Sequence, residues 1–222
     1  MKEIVLTRDG WHTIAIPEQK VTYHSVHGAI AESKHVFIEA GLNYLLRSLP
    51  DEEINVFEMG FGTGLNAFLT AIRATETKSA VRYTTIETLP LSLGETIALN
   101  YFQNLGYEEF FRKIHSCNWE EEVSINEYFT LRKIKTDLLH FSTLQQFNLI
   151  YYDAFAPSAQ PQLWTKEIFE KIYSMLALHG VIVTYCSKGD VRRAMLAAGF
   201  SVKTLPGPPG KREMLRAEKL TS

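Results

Sequence analysis

The chain has 222 residues, 45% of them hydrophobic, and sets 23 Lys plus Arg against 25 Asp plus Glu for a formal net charge of −2. That length suits one sizeable domain with a small appendage, and the balanced charge excludes a global field for nucleic acid or anionic membranes, leaving any RNA contact to a local patch. Two distant cysteines, Cys117 and Cys186, form neither a disulfide framework nor a zinc-binding spacing, and no apolar run is long enough for a signal peptide or a membrane span, so a cytoplasmic protein is expected.

Residues 1–30 read as a small β appendage, with β-prone runs at 3–7 and 12–16 around Asp9-Gly10 and at 20–24 after Pro17. Residues 31–49 place Val36, Phe37, Ala40, Leu42, Leu45, Leu46 and Leu49 at mostly helical spacing, which predicts a helix stopped by Pro50-Asp51. From Ile54 onward strands and helices alternate: strand 54–59, helix 64–75, strand 81–87, helix 91–104, then a region 107–128 read as a helical insertion with a solvated acidic face. Strands at 129–135 and 147–153, helix 165–178, strand 180–186 and helix 188–198 follow. This alternation predicts a parallel sheet covered on both faces. Runs at 200–205 and 212–218 are joined by Pro206-Gly207-Pro208-Pro209-Gly210, a connection with no room for a crossover helix, so those two strands pair antiparallel. Residues 31–222 are thus expected to form one α/β domain.

The first strand runs into Glu58-Met59-Gly60-Phe61-Gly62-Thr63-Gly64, a turn whose glycines let a ligand approach main-chain N–H groups. A dinucleotide fingerprint needs a third glycine where this chain has Leu65, and Glu58 would repel a pyrophosphate. The loop therefore suits S-adenosylmethionine, which carries a sulfonium and an ammonium and no phosphate. In this reading Gly60, Gly62 and Gly64 shape the pocket, Glu58 organises the methionine end through the loop or a water, and Glu87, ending the next strand, takes the ribose hydroxyls. Asp137 is positioned either to hydrogen-bond the adenine amino group or to cap the turn before Leu138-Leu139, and both readings stand. Asp153 ends the strand at 147–153, where ligands of open α/β sheets bind, and is the candidate for substrate chemistry. Lys188, Arg192, Lys211 and Arg212 fall near the same edge and form the candidate phosphate-binding rim. His24, His27 and His35 lack the cysteine or ordered carboxylate that would complete a metal site, so no metal is expected.

Several ordered motifs carry a resemblance that spans nearly the whole chain. Asp153-Ala154-Phe155-Ala156-Pro157, Leu163-Trp164-Thr165, Lys188-Gly189 with Val191-Arg192-Arg193, Ala198-Gly199-Phe200, and Pro206-Gly207 with Gly210-Lys211-Arg212-Glu213-Met214 resemble the MnmC-type tRNA methyltransferases. Tyr23-His24-Ser25, Gly28-Ala29 and Glu32-Ser33 extend the resemblance toward the N-terminus. It implies the class I methyltransferase, Rossmann-like α/β fold, a mostly parallel seven-stranded sheet with an antiparallel last strand. It also implies methylation of the aminomethyl group of 5-aminomethyl-2-thiouridine at the tRNA wobble position, with Asp153 holding the amine. Tyr23 and Ser25 are then expected near the methionine end of the cofactor, and Phe155 and Trp164 beside the base. Because the chain stops at Ser222, it resembles the stand-alone form without the flavin-dependent oxidoreductase half, and no FAD is expected. Two alternatives belong to other classes: a small-molecule amine N-methyltransferase, and a non-enzymatic RNA-binding relic, against which the joint presence of Glu58, Glu87 and Asp153 argues.

Overall fold

A computed structural model describes residues 2–49 and 52–221; the expected helix stop at Pro50 and Asp51 lies outside the described residues. The N-terminal strands β1 (Glu3–Leu6), β2 (His12–Ile16) and β3 (Val21–Thr22) make a separate antiparallel sheet in the order β1-β2-β3. A continuous helix follows, α1 (Ala29–Ser33) passing through a π-wound stretch at Lys34–Leu42 into α2 (Asn43–Leu46). Of the positions the apolar spacing marked, Val36, Phe37, Leu42 and Leu45 are buried and Ala40, Leu46 and Leu49 partly so, while Ile38, which the spacing did not mark, is buried too.

The remaining elements are β4 (Ile54–Met59), α3 (Leu65–Thr77), β5 (Val81–Ile86), α4 (Leu93–Ile97), α5 (Tyr101–Leu105), α6 (Glu108–Ser116), β6 (Glu122–Asn126) and β7 (Phe129–Ile134). Then come β8 (Phe147–Tyr152), α7 (Lys166–Met175), β9 (Leu176–Thr184), α8 (Gly189–Ala197), β10 (Ser201–Pro206) and β11 (Glu213–Glu218). The main sheet has the order β10-β11-β9-β8-β4-β5-β7-β6, and apolar clusters fill both of its faces. Strands β7, β5, β4, β8 and β9 pair parallel, while β11 is inserted antiparallel between β9 and β10. This is the expected α/β class I methyltransferase arrangement.

Three local expectations are corrected. The sheet has eight strands where seven were expected, because residues 122–126, read as part of an acidic helical insertion, pair antiparallel with β7. Asn126 closes that hairpin by accepting the Tyr128 N–H at 2.7 Å, and Arg82 reaches both Glu122 oxygens at 2.7 Å, so the acidic residue there is a strand-edge partner. The helix expected at 91–104 is two short helices. Between them Asn100 turns to β2, accepting the His12 N–H at 2.8 Å and donating to Gly10 O at 3.0 Å. The helix expected to reach residue 178 stops at Met175, since Leu176 pairs with Phe147 and starts β9, and His179 takes a left-handed φ of 63° beside the register shift. Tertiary pairing there overrides a helix-compatible Leu-Ala-Leu run.

Register levels the site. Met59 pairs with both Ile86 and Tyr152, so Gly60, Glu87 and Asp153 leave the sheet at one height on the carboxyl edge.

Candidate active site

The loop after β4 crosses that edge on glycines with positive φ: 93° at Gly60, 52° at Gly62 and 70° at Gly64. Two of them also have no room for a side chain. A Cβ at Gly62 would stand 2.9 Å from the Tyr23 ring, and one at Gly64 would stand 2.8 Å from His115. Main-chain bonds from Gly60 and Phe61 to Ile86 O, both 3.1 Å, tie the loop to the end of β5. Lys133, buried and unforeseen in the sequence, props the loop from below. Its Nζ donates to Ile114 O at 2.8 Å and His115 O at 3.3 Å and lies over the Trp119 and Phe61 rings.

A cavity of about 270 Å³ opens above the loop, lined among others by Tyr23, Gly60, Gly62, Glu87, Asp137 and Asp153. Three carboxylates face it, and among its described lining residues there is no Lys or Arg. Such a lining disfavours phosphate and favours a cationic ligand. Glu87 is half-buried, accepting the Gly62 N–H at Oε2 (3.0 Å) and the Leu89 N–H at Oε1 (2.9 Å), which leaves lone pairs for a ligand. Asp137 lines the cavity and also caps its turn: its Oδ1 accepts the His140 N–H at 2.9 Å, and the bonds from His140 hold its carboxyl below the usual range. The geometry thus gives Asp137 the capping role and keeps it on the cavity wall.

Asp153 stands at the end of β8, half-buried, with its Oδ2 accepting a 2.9 Å bond from Asn66 Nδ2. Burial first, and then the Glu32 carboxylate, push its carboxyl up to about 7, against the Asn66 bond and the Lys211 charge, which lower it. Phe155 lines the cavity and packs edge-on to Tyr23 at 5.5 Å between centroids. His24, on the wall beside Tyr23, is bonded to Thr63 Oγ1 at 2.7 Å, and burial lowers its imidazole to about 4, so it is neutral. His35 bonds to Pro206 O at 2.8 Å, on another partner altogether, and no group of three or more metal-ligating side chains occurs among the described residues.

Other candidates stand off the cavity. Glu58 is wholly buried beneath the loop, with Oε2 accepting the Thr85 hydroxyl at 2.8 Å. The pleat explains this: Glu58 lies beside Thr85 and Tyr151 in register, on the face covered by α3. Ser25 uses its N–H to donate to Glu32 Oε2 at 2.9 Å and does not line the cavity. Trp164, expected beside the base, is 6% exposed and donates its indole N–H to Phe155 O at 2.9 Å, so it supports the loop from within. Lys211, expected as a phosphate contact, pairs with buried Glu32 at 2.5 Å and lies 3.7 Å above the Tyr185 ring. Lys188, Arg192 and Arg212 are exposed, Arg212 with a loose 3.8 Å pair to Glu213. Asn66 and Lys133 escaped the sequence reading, and Glu32 entered it only as part of the resemblance, with no role given. The only local signal was for Asn66, a polar residue in the first turn after the glycine loop.

A family model described as S-adenosyl-L-methionine-dependent methyltransferase matches residues 102–220. Over 213 residues the chain is 30% identical to a Pseudomonas savastanoi pv. phaseolicola protein named tRNA 5-methylaminomethyl-2-thiouridine biosynthesis bifunctional protein MnmC, covering 87% of this chain and 31% of that one. The protein of the same name from Pseudomonas fluorescens is 31% identical over 232 residues, 95% of this chain and 34% of its own. The chain therefore spans about a third of the length of these relatives. Among solved structures, MNMC2 from Aquifex aeolicus superposes with a TM-score of 0.83 at 24% identity, covering all of this chain and 71% of that one. Spermidine synthase from Thermotoga maritima gives 0.56 at 14% identity, covering 98% and 69%. Both structural likenesses are of fold.

Proposed function

Since the chain belongs to the S-adenosyl-L-methionine-dependent methyltransferase family, we propose that it methylates the aminomethyl nitrogen of 5-aminomethyl-2-thiouridine at the tRNA wobble position, giving 5-methylaminomethyl-2-thiouridine. The observation that carries this reading is Asp153: a carboxyl at the strand end, on the wall of a phosphate-averse cavity, held near neutrality. The residues present fit the cofactor, because Gly60 and Gly62 line the cavity without side chains, Glu87 has lone pairs for ribose hydroxyls, and the acidic wall complements a sulfonium and an ammonium. When bound, S-adenosylmethionine supplies an electrophilic methyl group. Gly60, Gly62, Gly64, Glu87, Asp137 and Tyr23 are assigned to holding it, and neither flavin nor metal is required by this chemistry.

Asp153 accepts hydrogen bonds from the substrate amine and fixes the direction of its lone pair. An alkylamine is mostly protonated at neutral pH, with a reference pKa of about 10.4, so the amine gives its proton to water before its lone pair attacks the methyl group, and Asp153, titrating near 7, holds the amine for that step. Phe155 is assigned to the base side, and Lys188, Arg192 and Arg212 to the RNA backbone. Residues 31–222 carry the reaction and residues 1–30 wall the pocket through Tyr23 and His24. A cytoplasmic site of action goes with this substrate, and no described helix is long and apolar enough to cross a membrane.

The test is nucleoside mass spectrometry of tRNA bearing 5-aminomethyl-2-thiouridine after incubation with purified protein and isotope-labelled S-adenosylmethionine. A labelled methyl on that nucleoside is expected. Methylation of free amines in place of tRNA would shift the assignment to a small-molecule enzyme, and no transfer to either would sink it.

A further inference from the structure

Among the described residues Glu58 is the only wholly buried carboxyl whose role the site leaves open. It receives one conventional hydrogen bond, from Thr85 on β5. The groups acting on it are Tyr83 and Thr85 from β5, Tyr151 and Asp153 from β8, and the Asn66 amide from α3. None is a cation. Among the described residues Glu58 Oε1, Asn66 Oδ1 and Tyr83 OH have no hydrogen-bond partner, although all three atoms are buried in this one cluster. Thr70, the remaining polar neighbour, donates to Asn66 O at 2.7 Å and lies 3.3 Å from Tyr151 OH.

Two neighbouring carboxyls in a low-dielectric site resist ionising together, and a wholly buried carboxylate with no cation beside it loses solvation that its few donors do not replace. Which of the two keeps the proton follows from their surroundings. Asp153 borders the cavity, takes the Asn66 amide N–H at 2.9 Å and feels the Lys211 charge; Glu58 lies off the cavity with no cation acting on it, and the polar groups of Thr85, Asn66 and Tyr83 offset its burial only in part. A protonated Glu58 also gains an O–H, a second donor beside the Tyr83 phenol for a cluster that leaves Asn66 Oδ1 an unmatched buried acceptor.

We propose that Glu58 holds a proton in the resting protein and is the neutral member of a Glu58–Asn66–Asp153 cluster, so that Asp153 is the one carboxyl there that changes charge and Asn66 is the residue that positions it. The proposal rests on the Asp153 role given above, but Glu58 itself then contacts no ligand. Burial pushes the Glu58 carboxyl well above the usual range, in the same direction. The functional consequence is that the acidic residue before the glycine loop works as an uncharged strut, and the anion beside the substrate amine is Asp153 alone.

Infrared difference spectroscopy reads this without any substrate. At alkaline pH, where Asp153 has lost its proton, wild type should retain a protonated-carboxyl carbonyl band that Glu58→Gln removes. Loss of a carboxylate band instead, or no protonated band in wild type, would overturn the proposal. Wild type with carbon-13 glutamate reports the same band if the variant does not fold. Single-turnover methylation gives a second, separate readout. Glu58→Gln should leave the pH midpoint where it is, since an amide replaces a neutral acid; an ionised Glu58 would, on removal, drop that midpoint by about a unit or more. Asn66→Ala should raise the midpoint, because it deletes a hydrogen bond to the charged form of Asp153, and an unmoved midpoint would remove Asn66 from the positioning role. If no methylation is seen in wild type, the functional assignment fails while the infrared result still decides the protonation of Glu58.

Discussion

The main-chain N–H of Gly62 donates to Glu87 Oε2 at 3.0 Å, so the glycine loop and the end of β5 hold each other in place. Glu87 is therefore both a ligand candidate and a loop fastener.

Glu87→Ala should weaken S-adenosylmethionine binding by roughly 10- to 100-fold, the loss of charge-assisted hydrogen bonds of about 1.5–3 kcal/mol. Glu87→Gln, which keeps an acceptor oxygen for the loop, should lose less. Titration calorimetry on both variants checks this, and wild-type affinity in Glu87→Ala would take Glu87 out of the ribose role.

Asp153→Ala should bind S-adenosylmethionine nearly as wild type while its single-turnover methylation falls by ~10²-fold or more. A normal rate would show that another group orients the amine. The reference carboxyl titrates at 3.8 and the folded one at about 7, so its ionisation costs the folded state stability as pH rises across that interval. Asp153→Asn should accordingly raise the melting temperature above about pH 7 and leave it unchanged below about pH 4, a pattern that thermal melts across pH will confirm or deny.

Arg192→Ala should raise the apparent KM for tRNA and flatten the slope of log affinity against log salt by about 0.7–0.9, the signature of one lost phosphate contact, with the rate at saturating tRNA retained. A rate loss at saturation would place Arg192 elsewhere.

Lys211→Ala should behave unlike a phosphate contact. It strips the partner from Glu32, which is 6% exposed, and destabilises the fold by on the order of 1–3 kcal/mol after allowance for the partial exposure of the lysine. Denaturant melts should show recovery in Lys211→Ala/Glu32→Gln, where no lone charge is left. Additive losses in the double variant would contradict the pairing.

What the sequence made legible was local. Glu87 and Asp153 could be placed because each ends an apolar strand, and parallel register then puts such ends on one edge, whereas Glu58 sits two residues lower in the register, under the loop. Asn66 and Asp153 are 87 residues apart and Glu32 and Lys211 are 179 apart, so no window of sequence holds either pair. Trp164 and Lys211 have the composition of ligand contacts, and only packing shows that one supports a loop and the other balances a buried acid. The eighth strand was hidden for a related reason: the Glu-rich run at 120–122 matches a solvated helix as well as an edge strand until β7 is there to pair with it.

The bond from His35 to Pro206 O and the Glu32–Lys211 pair fasten the first helix to the last hairpin. During synthesis the first half of that clasp leaves the ribosome 179 residues ahead of the second. At roughly 5–20 residues per second that separation amounts to about 10–35 s. Through that interval Glu32 lacks its counter-charge, and the clasp closes only after Lys211 has emerged.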